Sequence, residues 1–456
     1  MFPEYGLTGD LIPETRQTAA LYGERMPEPE TTESCMPCDS VMVGSEITQA
    51  IVCAARDAQM YVVANLIEKV STVTQKTSPD CSERQLLSAG AASHMGLQEE
   101  LDLRALPACN NAPESEDYSL YNTNIIINST GCIVAKYHKH SLFSHESMIF
   151  NSSDVEYAYV DTPFGRIGTL ICFDLAFSEP GINLVEKFNV DTIVFPTYWT
   201  MMNTSMQLYM NIVAYSSGWA RRMGVNFLAA NIRSLSSNSY GSAISTPNGI
   251  PADYYEPNQS KVGKLLIADL QVAPQRNNNS AAKFKASLSK RKETVKTEVL
   301  DLFGRKLGDF EYNVVTLKPN ANIASVCHGK ICCRVYYDFI SLDPNRQHVL
   351  AAYNSRNSST HHAPIQFDVC LFQTCKDNST DTCFQYPISD SDAKFDQFSL
   401  TGQFDSDYVF PSLTGPNYGF NTVDWHFQRK GRTNEIIMDN GLPTKLLNAA
   451  MISPFE

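Results

Sequence analysis

A layered α/β sheet followed by a cysteine-rich β domain is the fold class that this sequence predicts. Three observations carry the expectation. Apolar strand-like segments alternate with helix-periodic ones through the first two thirds of the chain. Beyond them helical periodicity disappears and the remaining apolar runs read as strands. Six of the 13 cysteines (Cys327, Cys332, Cys333, Cys370, Cys375 and Cys383) crowd into that last part.

Taken in order, Ser45 can cap a helix whose apolar positions Ile47, Ala50, Ile51, Ala54 and Ala58 recur at helical spacing. Tyr61 to Ile67 then reads as a buried strand. After a polar, irregular stretch from about Ser71 to Asp117, two strands, Asn124 to Asn128 and Cys132 to Tyr137, flank Ser129-Thr130-Gly131 as a hairpin turn. A strand at Ile167 to Cys172, a helix near Asn183 to Phe188 and a strand at Asp191 to Phe195 follow. A longer helix is expected from about Ser205 to Met223, then a strand from Val225 to Ile232. An Asn-, Ser- and Lys-rich stretch ends the α/β part. The expected division is residues 1–275, a linker at 276–298, and a β domain at 299–456 with strands at Val335 to Ile340 and Phe367 to Phe372.

At 456 residues, 43% hydrophobic and 19% charged, this is a folded chain with room for two cores. A net charge of −13, with no basic run, argues against nucleic acid or an anionic membrane as the main partner. No apolar run approaches the roughly 18 residues of a membrane-spanning helix. The cysteine density predicts disulfides and an oxidising, extracellular compartment, and an odd total leaves at least one thiol free. Sequons at Asn128, Asn151, Asn203, Asn258, Asn278, Asn357 and Asn378 suit a secreted glycoprotein. Met1-Phe2-Pro3-Glu4 has neither the basic start nor the apolar stretch of a signal peptide. The expectation is therefore that a preceding segment is missing from this chain.

Cys172 is the sharpest chemical signal. An apolar strand ends on a thiol and runs into Phe173-Asp174 and a helix-forming stretch. A nucleophile at such a turn is exposed at a sheet edge, where backbone N–H groups can face an oxyanion and a nearby cation would lower its pKa. An ordinary buried cysteine at a core strand end fits the same pattern. Lys139 sits just past a strand, either as a solvated cation or as an oxyanion donor. Glu4 and Glu146 read as loop carboxylates or, beside a thiol, as general bases. His138 and His140 lack a third metal-ligating group at a sensible spacing. Cys35-Met36-Pro37-Cys38 lacks the second half of a zinc knuckle and fits a disulfide or loop role better.

Several runs together resemble the nitrilase superfamily, and within it the vanin and biotinidase branch. They are Pro3-Glu4, Tyr61-Val62-Val63-Ala64-Asn65, Tyr137-His138-Lys139 with Leu142-Phe143, Thr162 to Gly168 running into Cys172-Phe173-Asp174, and Asp191 to Thr197. Val225 to Asn231, Gly263 to Leu266, Ile331-Cys332-Cys333, Phe398 to Gly402 and Tyr408 to Pro411 extend the likeness over nearly the whole chain. The resemblance implies an α-β-β-α sandwich, lacking its first strand and helix here, plus a C-terminal β-rich domain. It maps a catalytic glutamate, lysine and cysteine onto Glu4, Lys139 and Cys172, with Glu146 and the Phe173 N–H in support. It implies hydrolysis of a linear amide through a Cys172 thioester without metal or organic cofactor, with pantetheine as the substrate and biotin amides as the competitor. Tyr198 and Trp199, after a strand ending near such a site, are candidates to line the pocket or to be plain core aromatics. An inactive secreted binding glycoprotein is the alternative from another class. Residues 83–118 read as an insertion relative to the family.

Overall fold

The computed structural model describes residues 1–8, 13–29, 31, 33–71, 118–200, 209–234, 239–255, 263–272, 302–307, 310–355, 366–385, 391–420, 423–438 and 443–455. Residues 83–117 of the predicted insertion, the linker at 276–298 and the sequons at Asn203, Asn258, Asn278 and Asn357 lie outside the described residues, and Tyr118 instead opens a strand. The chain divides into two compact units that interleave along the sequence: residues 1–201, 226–244 and 256–267 in one, 202–225, 245–255 and 268–456 in the other.

The first unit opens with α1 (Arg16–Leu21) and α2 (Glu46–Ala58). A three-stranded antiparallel sheet follows, ordered β1 (Val62–Ser71), β2 (Tyr118–Ile127), β3 (Ile133–His138). Alternation along these strands decides the layers. Ala64, Leu66, Ile125, Ile127 and Ile133 bury one face against Ile51, Val52 and Ala55 of α2. Val63, Ile126 and Ala135 bury the other face against a second sheet.

α3 (Glu146–Ile149) links to that second sheet, in which β4 (Tyr159–Thr162), β5 (Gly165–Thr169), β6 (Thr192–Thr197), β7 (Asn226–Asn231) and β8 (Ser242–Thr246) lie side by side. β5, β6 and β7 run parallel. α4 (Gly181–Glu186) covers this sheet's outer face, with Leu184 and Val190 packed at Gly168. The predicted α-β-β-α layering is thus present in this unit.

The sequence-predicted helix at Ser45 is α2, but its N-terminus is capped differently. The Glu24 carboxylate accepts from the N–H groups of Ile47 and Thr48, both at 2.6 Å. The Ser45 hydroxyl instead donates to the Arg25 carbonyl. The hairpin turn forms as expected, with Gly131 at φ +78° and the Asn128 side chain accepting from the Thr130 and Cys132 N–H groups.

In the second unit α5 (Ile212–Met223) falls within the predicted long helix. Its Gly218 passes so close to the Pro411 carbonyl that a Cβ would collide with it. Here β9 (Gly249–Tyr254) is followed by β10 (Leu302–Leu307), β11 (Phe310–Thr316), β12 (Ile323–His328), β13 (Ile331–Ser341), β14 (His348–Asn354), β15 (Asp368–Thr374), β16 (Lys394–Gln403), β17 (Phe410–Thr414), β18 (His426–Lys430), β19 (Thr433–Met438) and β20 (Asn448–Ile452). Two antiparallel sheets result, ordered β10-β11-β14-β15-β20-β17 and β12-β13-β16-β19-β18. Their inner faces share one core that includes Val335, Leu350, Phe372, Phe398, Leu400 and Met451. The Cys333–Cys370 disulfide ties β13 of one sheet to β15 of the other.

Cys81 and Cys109 lie outside the described residues, and the other cysteines resolve one by one. Cys35–Cys132, Cys38–Cys53, Cys327–Cys332, Cys333–Cys370 and Cys375–Cys383 are paired. The Cys35-x-x-Cys38 run is therefore two separate disulfide anchors. Among the described residues Cys172 is the free cysteine, and it is buried.

Candidate active site

Cys172 follows β5 at the first position of a single 3₁₀ turn, Cys172–Ala176, rather than a full helix. Its φ of +43° is a left-handed conformation that a side chain with a Cβ adopts only at a cost. Lys139 is the first residue beyond β3, and its N–H continues the ladder by donating to the Asn122 carbonyl at 2.8 Å. Glu4 sits in a tight N-terminal turn, where Gly6 N–H donates to the Pro3 carbonyl and Tyr5 has φ +57°. The Phe2 N–H donates to the Val63 carbonyl, which lays this segment along β1. Glu146 begins α3.

These elements bring their side chains to one buried point. The Lys139 ammonium donates to Glu4 Oε1 at 2.8 Å and to Glu146 Oε2 at 2.7 Å, and all three residues are less than 5% exposed. Tyr198 enters through its backbone: its N–H donates to Glu4 Oε2 at 2.7 Å, while its ring packs edge-on to Tyr5 within an apolar cluster. Trp199 is half-buried, its backbone held by Asn231. Phe173, next to the thiol, is buried and its ring meets Phe143 and Phe177.

Two residues that the sequence reading does not single out complete the constellation. Asn122 donates to Glu4 Oε1 at 2.8 Å, to the Tyr5 hydroxyl at 2.9 Å and to Glu146 Oε1 at 3.2 Å. The Tyr5 hydroxyl donates to Glu146 Oε1. Behind them Asn65 donates to the side-chain oxygens of Asn122 and Asn124, and Asn124 donates to the Thr169 hydroxyl across to the second sheet. The available signal is polar residues two apart in an apolar strand, Asn122 and Asn124, which must share a face, and Asn65 in the apolar run of β1. Buried amides on a sheet face imply a polar interior to satisfy them.

The electrostatics separate the two carboxylates. Burial raises Glu4 above the ordinary carboxylate range, and repulsion from Glu146 adds to it, against the pull of Lys139 and Asn122. Burial also pushes Glu146 up, but Lys139, Tyr5 and the Phe143 N–H outweigh it and hold Glu146 below that range. Two acids in one site are thereby set for different tasks. Lys139 stays firmly cationic: burial lowers it, yet Glu146 and Glu4 raise it well above its usual value. The nearby positive charge does act on the thiol, but it is outweighed. Burial and the Glu4 charge push Cys172 well above the ordinary thiol range, and Lys139 only partly opposes them. Burial thus favours the protonated thiol at Cys172.

Of the sequons within the described residues, Asn378 lies exposed in a loop. Asn151 is half-buried and accepts from Arg16 and from the Leu120 N–H. Asn128 holds the β2–β3 hairpin. Among the described residues no helix is long and apolar enough to cross a membrane.

Residues 1–273 match the carbon-nitrogen hydrolase family and residues 302–454 match the vanin C-terminal domain. A human protein named pantetheine hydrolase VNN2 is 32% identical over 404 residues, spanning 88% of this chain and 68% of that one. A human pantetheinase is 30% identical over 399 residues, covering 86% of this chain and 67% of its own length. A biotinidase from Takifugu rubripes is 27% identical over 427 residues, with 91% and 76% covered. The chain belongs to the carbon–nitrogen hydrolase family, in the branch that carries a vanin C-terminal domain, and is an enzyme that hydrolyses a carbon–nitrogen bond of a small-molecule amide.

Proposed function

We propose that this protein is a secreted amidohydrolase that cleaves pantetheine to pantothenate and cysteamine, with Cys172 as nucleophile, Glu4 as general base and acid, and Lys139 as oxyanion donor. The observation that carries the reading is the buried Lys139 ammonium bridging Glu4 and Glu146 in a chain whose free cysteine, among the described residues, is Cys172. Pantetheine is favoured over a biotin amide by the relatives at 32% and 30% identity, against 27% for the biotinidase. The disulfides and the exposed sequon at Asn378 favour the secreted glycoprotein.

In this mechanism the Cys172 proton passes to Glu4 as sulfur attacks the amide carbonyl. Lys139 and the Phe173 N–H stabilise the tetrahedral oxyanion. Glu4 then protonates the departing amine, leaving a thioester on Cys172. Water, deprotonated by Glu4, attacks the thioester; the acid leaves and the thiol is restored. Glu146 stays ionised and keeps Lys139 charged and aimed. Tyr198 and Trp199, which follow β6, are proposed to line the substrate pocket. Residues 1–275 carry the reaction, and residues 299–456 form the appended β domain beyond the linker at 276–298.

The test is amide hydrolysis by the purified protein offered pantetheine and biotinyl-lysine side by side. Cysteamine release that disappears in Cys172→Ala is expected. Release of biotin alone changes the substrate class, and cleavage of neither supports an inactive binding protein. The pH profile adds a second readout. Glu4 must be ionised to accept the proton and its pKa is raised, so kcat/KM climbs with pH along an acid limb centred above 4.5, the value of an unperturbed glutamate. Glu4→Gln removes turnover at every pH.

A further inference from the structure

Asp174 is fully buried two residues past the proposed nucleophile, and each of its side-chain hydrogen bonds comes from a residue within two positions of Cys172 or Lys139. Its Oδ2 accepts from the Ile171 N–H at 3.0 Å, and its own N–H donates to the Ile171 carbonyl at 3.0 Å, which closes the turn that carries the thiol. The same Oδ2 accepts from the Tyr137 hydroxyl at 2.8 Å, two residues before Lys139. Oδ1 accepts from the Ser141 N–H at 2.7 Å, two residues after Lys139. The His140 N–H donates to the Tyr137 oxygen at 3.3 Å, so the phenol is held from a second side.

One carboxylate therefore grips the chain before and after the lysine and the turn holding the cysteine. β3 and β5 belong to different sheets, so no ladder of backbone bonds joins these two segments. We propose that Asp174 is a positioning residue that holds Lys139 and Cys172 in register. The proposal rests on the catalytic reading of those two residues. Burial raises the Asp174 acid to about 6, against the pull of Lys139 and of the Ser141 and Ile171 N–H groups, so at neutral pH it is an anion able to accept at both oxygens. The neighbouring glutamates grip Lys139 at its tip; Asp174 ties the segment on either side of it, at Tyr137 and Ser141, to the turn of Cys172.

Asp174→Asn keeps the volume but turns one acceptor oxygen into a donor, so at least one of the three donors loses its partner. With the hydrolysed amide as substrate, kcat is expected to fall about 10²-fold, the cost that a misplacement of about 1 Å carries in a preorganised site. KM should stay close to the wild-type value, because the residue is buried behind the reacting groups. Tyr137→Phe, which removes one bond only, should lower kcat by a smaller factor. A purely structural role would lower the melting temperature and leave kcat per folded molecule unchanged, which overturns the proposal. If Asp174→Asn does not fold, Tyr137→Phe decides: reduced kcat at a wild-type melting temperature supports the clamp, and wild-type kcat overturns it. If the wild-type protein hydrolyses no amide, the catalytic reading falls and the clamp with it. That outcome is distinct from wild-type turnover with insensitive variants, which removes the clamp alone.

Discussion

Cys172→Ala should abolish turnover while leaving the protein folded. Removing the nucleophile of a hydrolase whose groups act as a unit costs on the order of 10⁶ in kcat. No other described thiol can substitute, because the remaining described cysteines are bound in disulfides. The substitution removes one buried sulfur beside a strand end and leaves the Lys139–Glu4–Glu146 bridge intact. Unfolding should therefore stay cooperative with a loss of about 1–2 kcal/mol or less, the typical scale for a small change in a packed site. Activity and stability measured on the same sample separate a chemical defect from a folding defect.

Lys139→Met carries the second-largest expected effect, and it should appear in both measurements. Loss of one oxyanion donor typically costs about 10²–10³ in rate. The structural cost is separate. Without the ammonium, Glu4 and Glu146 face one another inside the protein, where breaking a buried ion pair costs about 3–5 kcal/mol. Part of that cost is recovered as one carboxylate takes up a proton; Glu4 is the one, since its pKa is already raised. Adding Glu146→Gln to Lys139→Met should restore much of the melting temperature, because the buried negative charge is then removed. It should restore none of the activity. Recovery of both, or of neither, would show that the bridge is not what makes the lysine costly to lose.

How far these residues could be seen beforehand differs among them for physical reasons. α2 was legible because apolar residues recur at helical spacing within one segment, although the face it buries is that of Ile51, Val52 and Ala55 while Ala54 is exposed, and β1 because a continuous apolar run bounded by polar residues has few other solutions. Cys172 was legible as a thiol between an apolar strand and a turn, and the odd cysteine count agreed with it. The assignment of Glu4, Lys139 and Glu146 rested on the resemblance, since each alone is an ordinary charge next to a turn. Tyr5 and Asn122 escaped because their roles exist only in three dimensions: Asn122 reaches Glu4 across 118 residues of sequence and Glu146 across 24. The net direction of the Cys172 shift is not readable from sequence for a related reason. Charge type can be read from sequence, but the balance between burial, Glu4 and Lys139 depends on which of them lies nearest the sulfur. In the C-terminal region only two of the strands β10 to β20 announce themselves. In the sheet β12-β13-β16-β19-β18, the central β16 pairs with β13 and β19, both distant from it in the chain, and short strands carry weak periodic signals.

The contrast between the two glutamates follows from the same geometry and explains why the site needs both. Glu146 receives Lys139, Tyr5 and the Phe143 N–H, and stays charged. Glu4 receives Lys139, Asn122 and the Tyr198 N–H but sits against the Glu146 charge, so a proton is gained and lost there at little cost. In the proposed mechanism the thiol proton passes to Glu4 as the carbon–sulfur bond forms, which couples deprotonation to attack.

The most direct test of the account is acid quenching during turnover of pantetheine, followed by peptide mass mapping. A pantothenoyl thioester on the peptide containing Cys172, absent from Cys172→Ala, is the predicted result. An acyl group on any other residue, or turnover that continues with no covalent species in wild type and survives in Cys172→Ala, would contradict it.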